Sequence, residues 1–300
     1  MMIIDSQVHA YEANTVKRPW DTIPNWPKQV TGDQMVEAMD SLDIEGAILV
    51  SPFSLYGYDA SYAVEVRTKH PKRFGLVKPV DPMDPQVGEI ITAWKATPGA
   101  VGVRIMMTRA RISPRQRMGN DRPNFDLVCR EARRNDLPVN LLCWDNLEAA
   151  FEVIDRHPET RFIIDHLGIL QPMTKPFHRN QWAALPRVLE LANRQNAVIK
   201  VSGVCTLSSE GCPFSDIWEP LARVFDAWGI DRCLWGSDWT RTSALVNYEQ
   251  AVKPFCKTDK LTKSEVAELM GGACAKAYGW KPDNTKEVAV SYTHLRAHET

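Results

Sequence analysis

The chain of 300 residues lacks any apolar run approaching the roughly 18 residues that would span a bilayer, so no membrane-embedded segment is expected. Charge of neither sign prevails. Its 36 Lys and Arg against 37 Asp and Glu leave a formal net charge of −1, whereas a general nucleic-acid binder carries a clear basic excess. Seven cysteines include no C-x-x-C pair, and they read as reduced, mostly core thiols of a cytoplasmic protein. No basic region followed by an apolar core opens the chain, so export is not indicated. Motifs of two common enzyme classes are also missing. No Gly-rich phosphate loop follows the first apolar run, and there is no Gly-x-Ser-x-Gly elbow.

What the chain does have is a regular alternation of strand-like and helical runs. Buried strands are expected at residues 2–4, 46–50, 74–80, 101–105, 138–143, 161–164, 197–202 and 233–235. Helical stripes fall between them. One starts with the capping-box string Thr31-Gly32-Asp33-Gln34 and continues through Met35, Met39 and Leu42. Eight near-continuously apolar strands, each followed by a helix, describe a parallel sheet covered on both faces. The expected fold class is α/β, a single (β/α)8 TIM barrel over residues 1–286, a size typical of that fold. An open doubly wound sheet is the rival, disfavoured by the missing phosphate loop. Residues 287–300 show neither turn logic nor amphipathic period and are expected to be a non-native or disordered tail, so His294 and His298 carry no weight as ligands.

Three strings sit where these strands end: Asp5-Ser6-Gln7-Val8-His9, Asp165-His166-Leu167-Gly168 and Gly236-Ser237-Asp238-Trp239. A parallel barrel gathers strand ends on one face, so His9, His166 and Asp238 should converge there. Side chains alternate along a strand, which would put Asp5, Gln7 and His9 on one face, with Asp5 deepest and orienting its neighbours. Two histidines and a carboxylate suit a single catalytic metal with an open position, or metal-free chemistry with Asp238 as general base. Gln7 would be at most a weak ligand, because a neutral amide donates poorly beside imidazole.

Substrate contacts are expected from long loops and other strand ends. The loop at residues 11–30, with Trp20 and Trp26 among three prolines, reads as a lid or pocket wall. Ser54 and Tyr56 follow the second strand, Cys143 and Trp144 end the fifth, and His178 lies in the loop after the sixth. Arg104 ends the fourth strand and could grip a carboxylate or form a structural ion pair. Arg109, Arg111, Arg115, Arg117 and Arg122 crowd the loop after it and would attract a small anionic substrate or form a solvated face. His70 and His157, each before a proline, look structural.

These strings, with Tyr56-Gly57-Tyr58-Asp59, Arg73-Phe74-Gly75-Leu76-Val77, Gly102-Val103-Arg104 and Lys200-Val201-Ser202-Gly203, resemble the amidohydrolase superfamily in its family 2 branch of small TIM-barrel hydrolases. The resemblance covers nearly the whole chain to about Trp280. It implies a lactonase of sugar lactones or of ring-cleavage products such as pyrone-dicarboxylate and sulfomuconolactone. It places His9, His166 and Asp238 on metal-ligand or acid–base positions and Arg104 on a carboxylate-binding one. The implied cofactor is one divalent metal, zinc first, or none, since the family's His-x-His is Gln7-Val8-His9 here. A metal-dependent decarboxylase of aromatic or muconate-type acids is the alternative, and a non-catalytic ligand-binding barrel the third reading. No nucleic acid or membrane partner is expected, and a homo-oligomer is compatible with the sequence.

Overall fold

The computed structural model describes residues 1–108, 123–174 and 180–283. Eight strands form one sheet in sequence order: β1 (Ile4–Val8), β2 (Gly46–Val50), β3 (Phe74–Pro79), β4 (Ala100–Met106), β5 (Val139–Leu142), β6 (Phe162–Ile164), β7 (Ala197–Ser202) and β8 (Cys233–Gly236). Every neighbouring pair from β1 to β8 is parallel. Helices lie between the strands, and the architecture is the expected (β/α)8 barrel. The capping box forms as its residues predict: the Thr31 side chain accepts from the Gln34 N–H, and the Gln34 side chain bonds back to the Thr31 N–H.

The strands are buried on both sides because each side has its own apolar filling. Outward residues such as Val8, Ala47, Leu49, Val103, Ile105, Leu141 and Val201 pack under the helices. Inward residues Ile4, Ile48, Val50, Val77, Ile163 and Leu234 form a second cluster with Ala273, Cys274 and Tyr278. The helix Ala273–Tyr278 therefore closes the amino-terminal foot of the barrel, leaving the opposite end for the strand-end residues.

β1 departs from simple alternation. Asp5 pairs with Ala47 and Val8 with Leu49, so three steps along β1 match two along β2. This bulge changes the facing of the motif. Ile4 points into the barrel and Asp5 outward, yet Gln7 and His9 point inward again. Asp5 is thus not on the face of Gln7 and His9, as strict alternation would have it. Between β8 and β1 the described residues form no strand ladder. The seam is closed by Asp238 N–H donating to the Gln7 carbonyl (3.0 Å) and Ser237 N–H donating to the Asp5 carboxylate (2.9 Å).

Gly271 lets the closing segment approach β1, since a Cβ there would collide with the Met2 carbonyl oxygen. Gly271→Ala is expected to cost about 1–3 kcal/mol by overpacking. Urea unfolding measures this, with Gly211→Ala, where the new methyl meets nothing, as the neutral control.

Candidate active site

The carboxyl ends of β1, β6, β7 and β8 bring together the residues singled out in the sequence. His9 Nε2 lies 3.5 Å from Asp238 Oδ1, and His166 Nδ1 lies 3.6 Å from Asp238 Oδ2. All three side chains are buried. Two of them ride on uncommon backbone. His166, Leu167 and Gly168 have consecutive positive φ angles of 54°, 59° and 64°, and Asp238 has φ of 50°. Left-handed conformations at non-glycine residues cost about 1–2 kcal/mol each and persist where the surrounding structure enforces them. Here they turn the chain sharply at the ends of β6 and β8, so that imidazole and carboxylate face each other across the barrel mouth.

Hydrogen bonds settle what each group can do. His9 Nδ1–H donates to the Val50 carbonyl at 2.7 Å, which leaves Nε2 as the lone-pair nitrogen of the neutral ring. The Gln7 amide nitrogen lies 3.4 Å from that Nε2, while the Gln7 oxygen accepts from Lys200 Nζ at 2.7 Å. His166 Nδ1 pairs with the Ser202 hydroxyl at 2.9 Å. Burial pushes His9 down to about 4 and His166 to about 3; Asp238 opposes both shifts without reversing them. Both rings are neutral at neutral pH. Burial would raise the Asp238 carboxyl, but the Arg241 guanidinium foremost holds it below the usual carboxylate range. Arg241 Nε binds Asp238 Oδ2 and its terminal nitrogens reach Gln171 and Met173. Asp238 Oδ1 is buried without any hydrogen-bond partner.

Below this layer lies a buried ion cluster. Asp165 receives Arg104 Nε at 2.7 Å and Lys200 Nζ at 3.1 Å, with Asn140 Nδ2 at 3.4 Å. Burial alone would raise Asp165, and Lys200 with Arg104 more than reverse it, so the carboxylate stays ionised. Sequence reasoning quoted Asp165 and Lys200 without giving them roles, and it missed Arg241. Position at a strand end was the only signal for Lys200; nothing marked Arg241 beyond standing three residues after Asp238.

The other named residues are distributed around this centre. Trp26 stacks on His9, with centroids 5.5 Å apart and planes at 15°, and Trp144 lies tilted against His166 at 6.3 Å. Trp20 is one step removed; its indole N–H donates to the Glu12 carbonyl and its ring meets Tyr11 edge-on. Tyr56 ties down the same loop, its hydroxyl accepting the Glu12 N–H at 3.0 Å. The Ser54 carbonyl accepts from the Thr22 hydroxyl. Cys143 is buried and its thiol pushed up by burial. His70 and His157 pair with Asp33 and Asp126, away from the barrel mouth. His178 and the five arginines from Arg109 to Arg122 lie outside the described residues.

A catalytic zinc needs three convergent protein donors and an open position. His9 Nε2 and Asp238 Oδ1 have a spacing that two donors on one ion could share, and Oδ1 is unpartnered. The remaining donors are committed elsewhere. Arg241 holds Asp238 Oδ2, Ser202 engages the His166 nitrogen nearest Asp238, and Lys200 takes the Gln7 oxygen. Among the described residues no three His, Cys, Asp or Glu side chains are grouped to hold a metal. As arranged, this donor set does not fit a divalent ion.

Comparison with known proteins agrees with this geometry at the level of fold and family. The amidohydrolase family profile matches residues 4–280. A 4-sulfomuconolactone hydrolase of Rhizobium radiobacter is 27% identical over 241 residues, 78% of this chain and 74% of that protein. An L-fucono-1,5-lactonase of Burkholderia multivorans is 24% identical over 292 residues, 92% of this chain and 95% of the other. A solved structure of a probable 2-pyrone-4,6-dicarboxylic acid hydrolase from Acinetobacter baumannii, with citric acid bound, superposes with a TM-score of 0.74 at 22% identity, covering 93% of this chain and 100% of that one.

The Asp5 carboxyl on the outer side of the seam generates a pH test. Burial pushes it up to about 6 from 3.8, against bonds from Ser237, Gln7 and Tyr248. The folded state thus binds this proton more tightly than the unfolded chain, so the Asp5 contribution to stability falls as pH rises from about 4 to about 6. Asp5→Asn keeps an acceptor for the two N–H groups and an N–H for the Tyr248 oxygen. It is expected to preserve the fold and to flatten that part of the stability profile, read by urea unfolding across the acid range.

Proposed function

The chain belongs to the amidohydrolase family, and from that premise we propose that it opens a cyclic ester, a lactone bearing a carboxylate, by direct attack of water. The observation that carries this reading is the free Asp238 Oδ1: an ionised carboxylate oxygen, buried, facing His9 and without a partner. A buried acceptor left unmatched is costly, and a water or a substrate proton is the natural match.

In this reading Asp238 accepts the proton of water as its oxygen bonds to the acyl carbon, and the carbonyl electron pair moves onto oxygen. Collapse of the tetrahedral intermediate breaks the ring C–O bond. Asp238 then returns the proton to the leaving oxygen, giving an open-chain hydroxy acid. In the tautomer in which the Ser202 hydroxyl donates to Nδ1, His166 carries its hydrogen on Nε2, and this is the form that would polarise the carbonyl. His9 cannot share that task as a neutral ring, because its N–H is spent on Val50; it faces Asp238 as an acceptor instead. No step requires a metal. A decarboxylase of the metal-dependent kind is disfavoured by the donor arrangement described above.

Charge supports a carboxylated substrate. The buried Arg104 and Lys200 are both drawn to the buried Asp165, and both histidines beside Asp238 are neutral. The Arg104 Nε is committed to Asp165, whereas Arg241, partly exposed, stands beside the reacting carboxylate. A named relative acting on a sulfonated lactone and a related fold holding citric acid point the same way, while the sugar-lactonase relative supports lactone opening without bearing on the carboxylate.

The test is a lactone panel read by acid release in weak buffer, covering carboxylated and sulfonated unsaturated lactones, pyrones and sugar 1,5-lactones. Turnover of at least one carboxylated member is expected, with kcat/KM lowered about 10²–10⁴-fold in Asp238→Asn, the usual worth of a positioned base. Silence across every class would overturn the reading.

A further inference from the structure

We propose that the Gln7 side-chain amide, held by the Lys200 ammonium, is the group that stabilises the oxyanion, doing with an N–H what a metal ion would do in this position. The inference rests on the lactone-opening reading and gives it a second electrophilic contact besides His166.

Three observations carry it. Lys200 Nζ donates to Gln7 Oε1 at 2.7 Å, which fixes the amide with its NH2 end turned to His9. That NH2 lies 3.4 Å from His9 Nε2, a lone-pair nitrogen because His9 Nδ1–H is bonded to Val50. An amide nitrogen carries two hydrogens, and only one can lie on the line to His9. The second is available to a substrate oxygen beside Asp238 Oδ1, the unpartnered acceptor 3.5 Å from the same His9 nitrogen. Acceptor and donor thus lie on either side of the same His9 nitrogen, and in this proposal water binds the first and the carbonyl oxygen the second.

The ammonium matters because it sharpens the donor. A hydrogen bond to the amide oxygen draws electron density from the amide nitrogen, and chains of hydrogen bonds strengthen one another in a low-dielectric interior. Lys200 is buried and braced on its other side by Asp165 at 3.1 Å, so the amide cannot turn over without losing that bond. Lys200 is accordingly a positioning residue and Gln7 the contact with the reacting oxygen. Water attack, proton transfer to Asp238 and ring opening balance as above. Gln7 gains and loses no atom; it only accepts the developing charge through its N–H.

The experiment uses the full chain after exhaustive chelation, with metal content measured, on the lactone the panel identifies. Wild type, Gln7→Glu, Gln7→Met and Lys200→Met are compared for kcat, KM and melting temperature. Gln7→Glu keeps the shape and the Lys200 partner but has no N–H; Gln7→Met removes the donor without adding charge. Both are expected to lose about 10²–10³-fold in kcat with KM little changed, the cost of removing one oxyanion donor. Lys200→Met is expected to lower kcat in the same direction by less. Near-wild-type kcat in Gln7→Met overturns the proposal. So does a fall in melting temperature and a rise in KM without a kcat effect, which would mark a structural role. Loss of wild-type activity on chelation with recovery on adding zinc overturns it as well. A wild type silent on every lactone is a different result: it removes the lactonase reading itself.

Discussion

The Asp5 carboxylate reaches from β1 to the start of the turn after β8, taking the Ser237 N–H on one oxygen and the Tyr248 hydroxyl on the other. It also accepts the Gln7 N–H two residues along its own strand. One side chain thereby stands in for the ladder that the last seam lacks, and it pins the bulge that sends Gln7 and His9 inward. Everything at the barrel mouth inherits this arrangement. Without the extra residue in β1, a strand that starts with Ile4 inside would turn Gln7 and His9 outward beneath the helices, leaving Asp238 and His166 without their partners.

Beneath the mouth, the interior carries more charge than apolar packing would ask for. Isolated buried ions are costly, and pairing recovers that cost only when every donor is placed. Asp165 meets this condition by accepting from Arg104, Lys200 and Asn140, and Asn140 in turn donates to the Tyr278 hydroxyl of the closing helix. The foot of the barrel and its mouth are therefore joined by one polar chain through the centre: Tyr278, Asn140, Asp165, Lys200, Gln7, His9. Burial leaves the two histidines uncharged, and Arg241 foremost keeps Asp238 ionised beside them.

The fold was legible because its signal is repeated eight times. Most strands are apolar on both faces, with helical stripes between them, so the barrel follows even where a boundary shifts; β1 runs Ile4–Val8 rather than residues 2–4, through the polar motif instead of ending before it. His166 and Asp238 were legible for the same reason, as polar residues at the ends of apolar runs. The bulge was not, since one inserted residue leaves no trace in a five-residue period of two. Lys200 looked like any strand-end cation until its partner was known. Arg241 belongs to a short helix, Trp239–Thr242, whose direction depends on the left-handed backbone at Asp238, a feature no residue type announces. Trp26 was visible as an aromatic in a stiff loop, but its place on His9 needed the loop's closing bridge between Tyr11 and Val30.

The seam also has a temporal meaning. Its two sides, Asp5 and Ser237, are 232 residues apart in the chain, and the foot is joined by Asn140 and Tyr278, 138 apart. A ribosome adding about 5–20 residues per second delivers the second side of the seam roughly 10–50 s after the first. Throughout that interval β1 has neighbours on one side only, an open edge of the kind that invites pairing with other chains. The nascent protein can thus assemble most of its hydrogen-bonded sheet before Asp238 meets His9 and His166. The cluster of His9, His166 and Asp238 is completed only with the final strand and the short helix that follows it, through contacts distant along the chain, the class of contact that forms slowest.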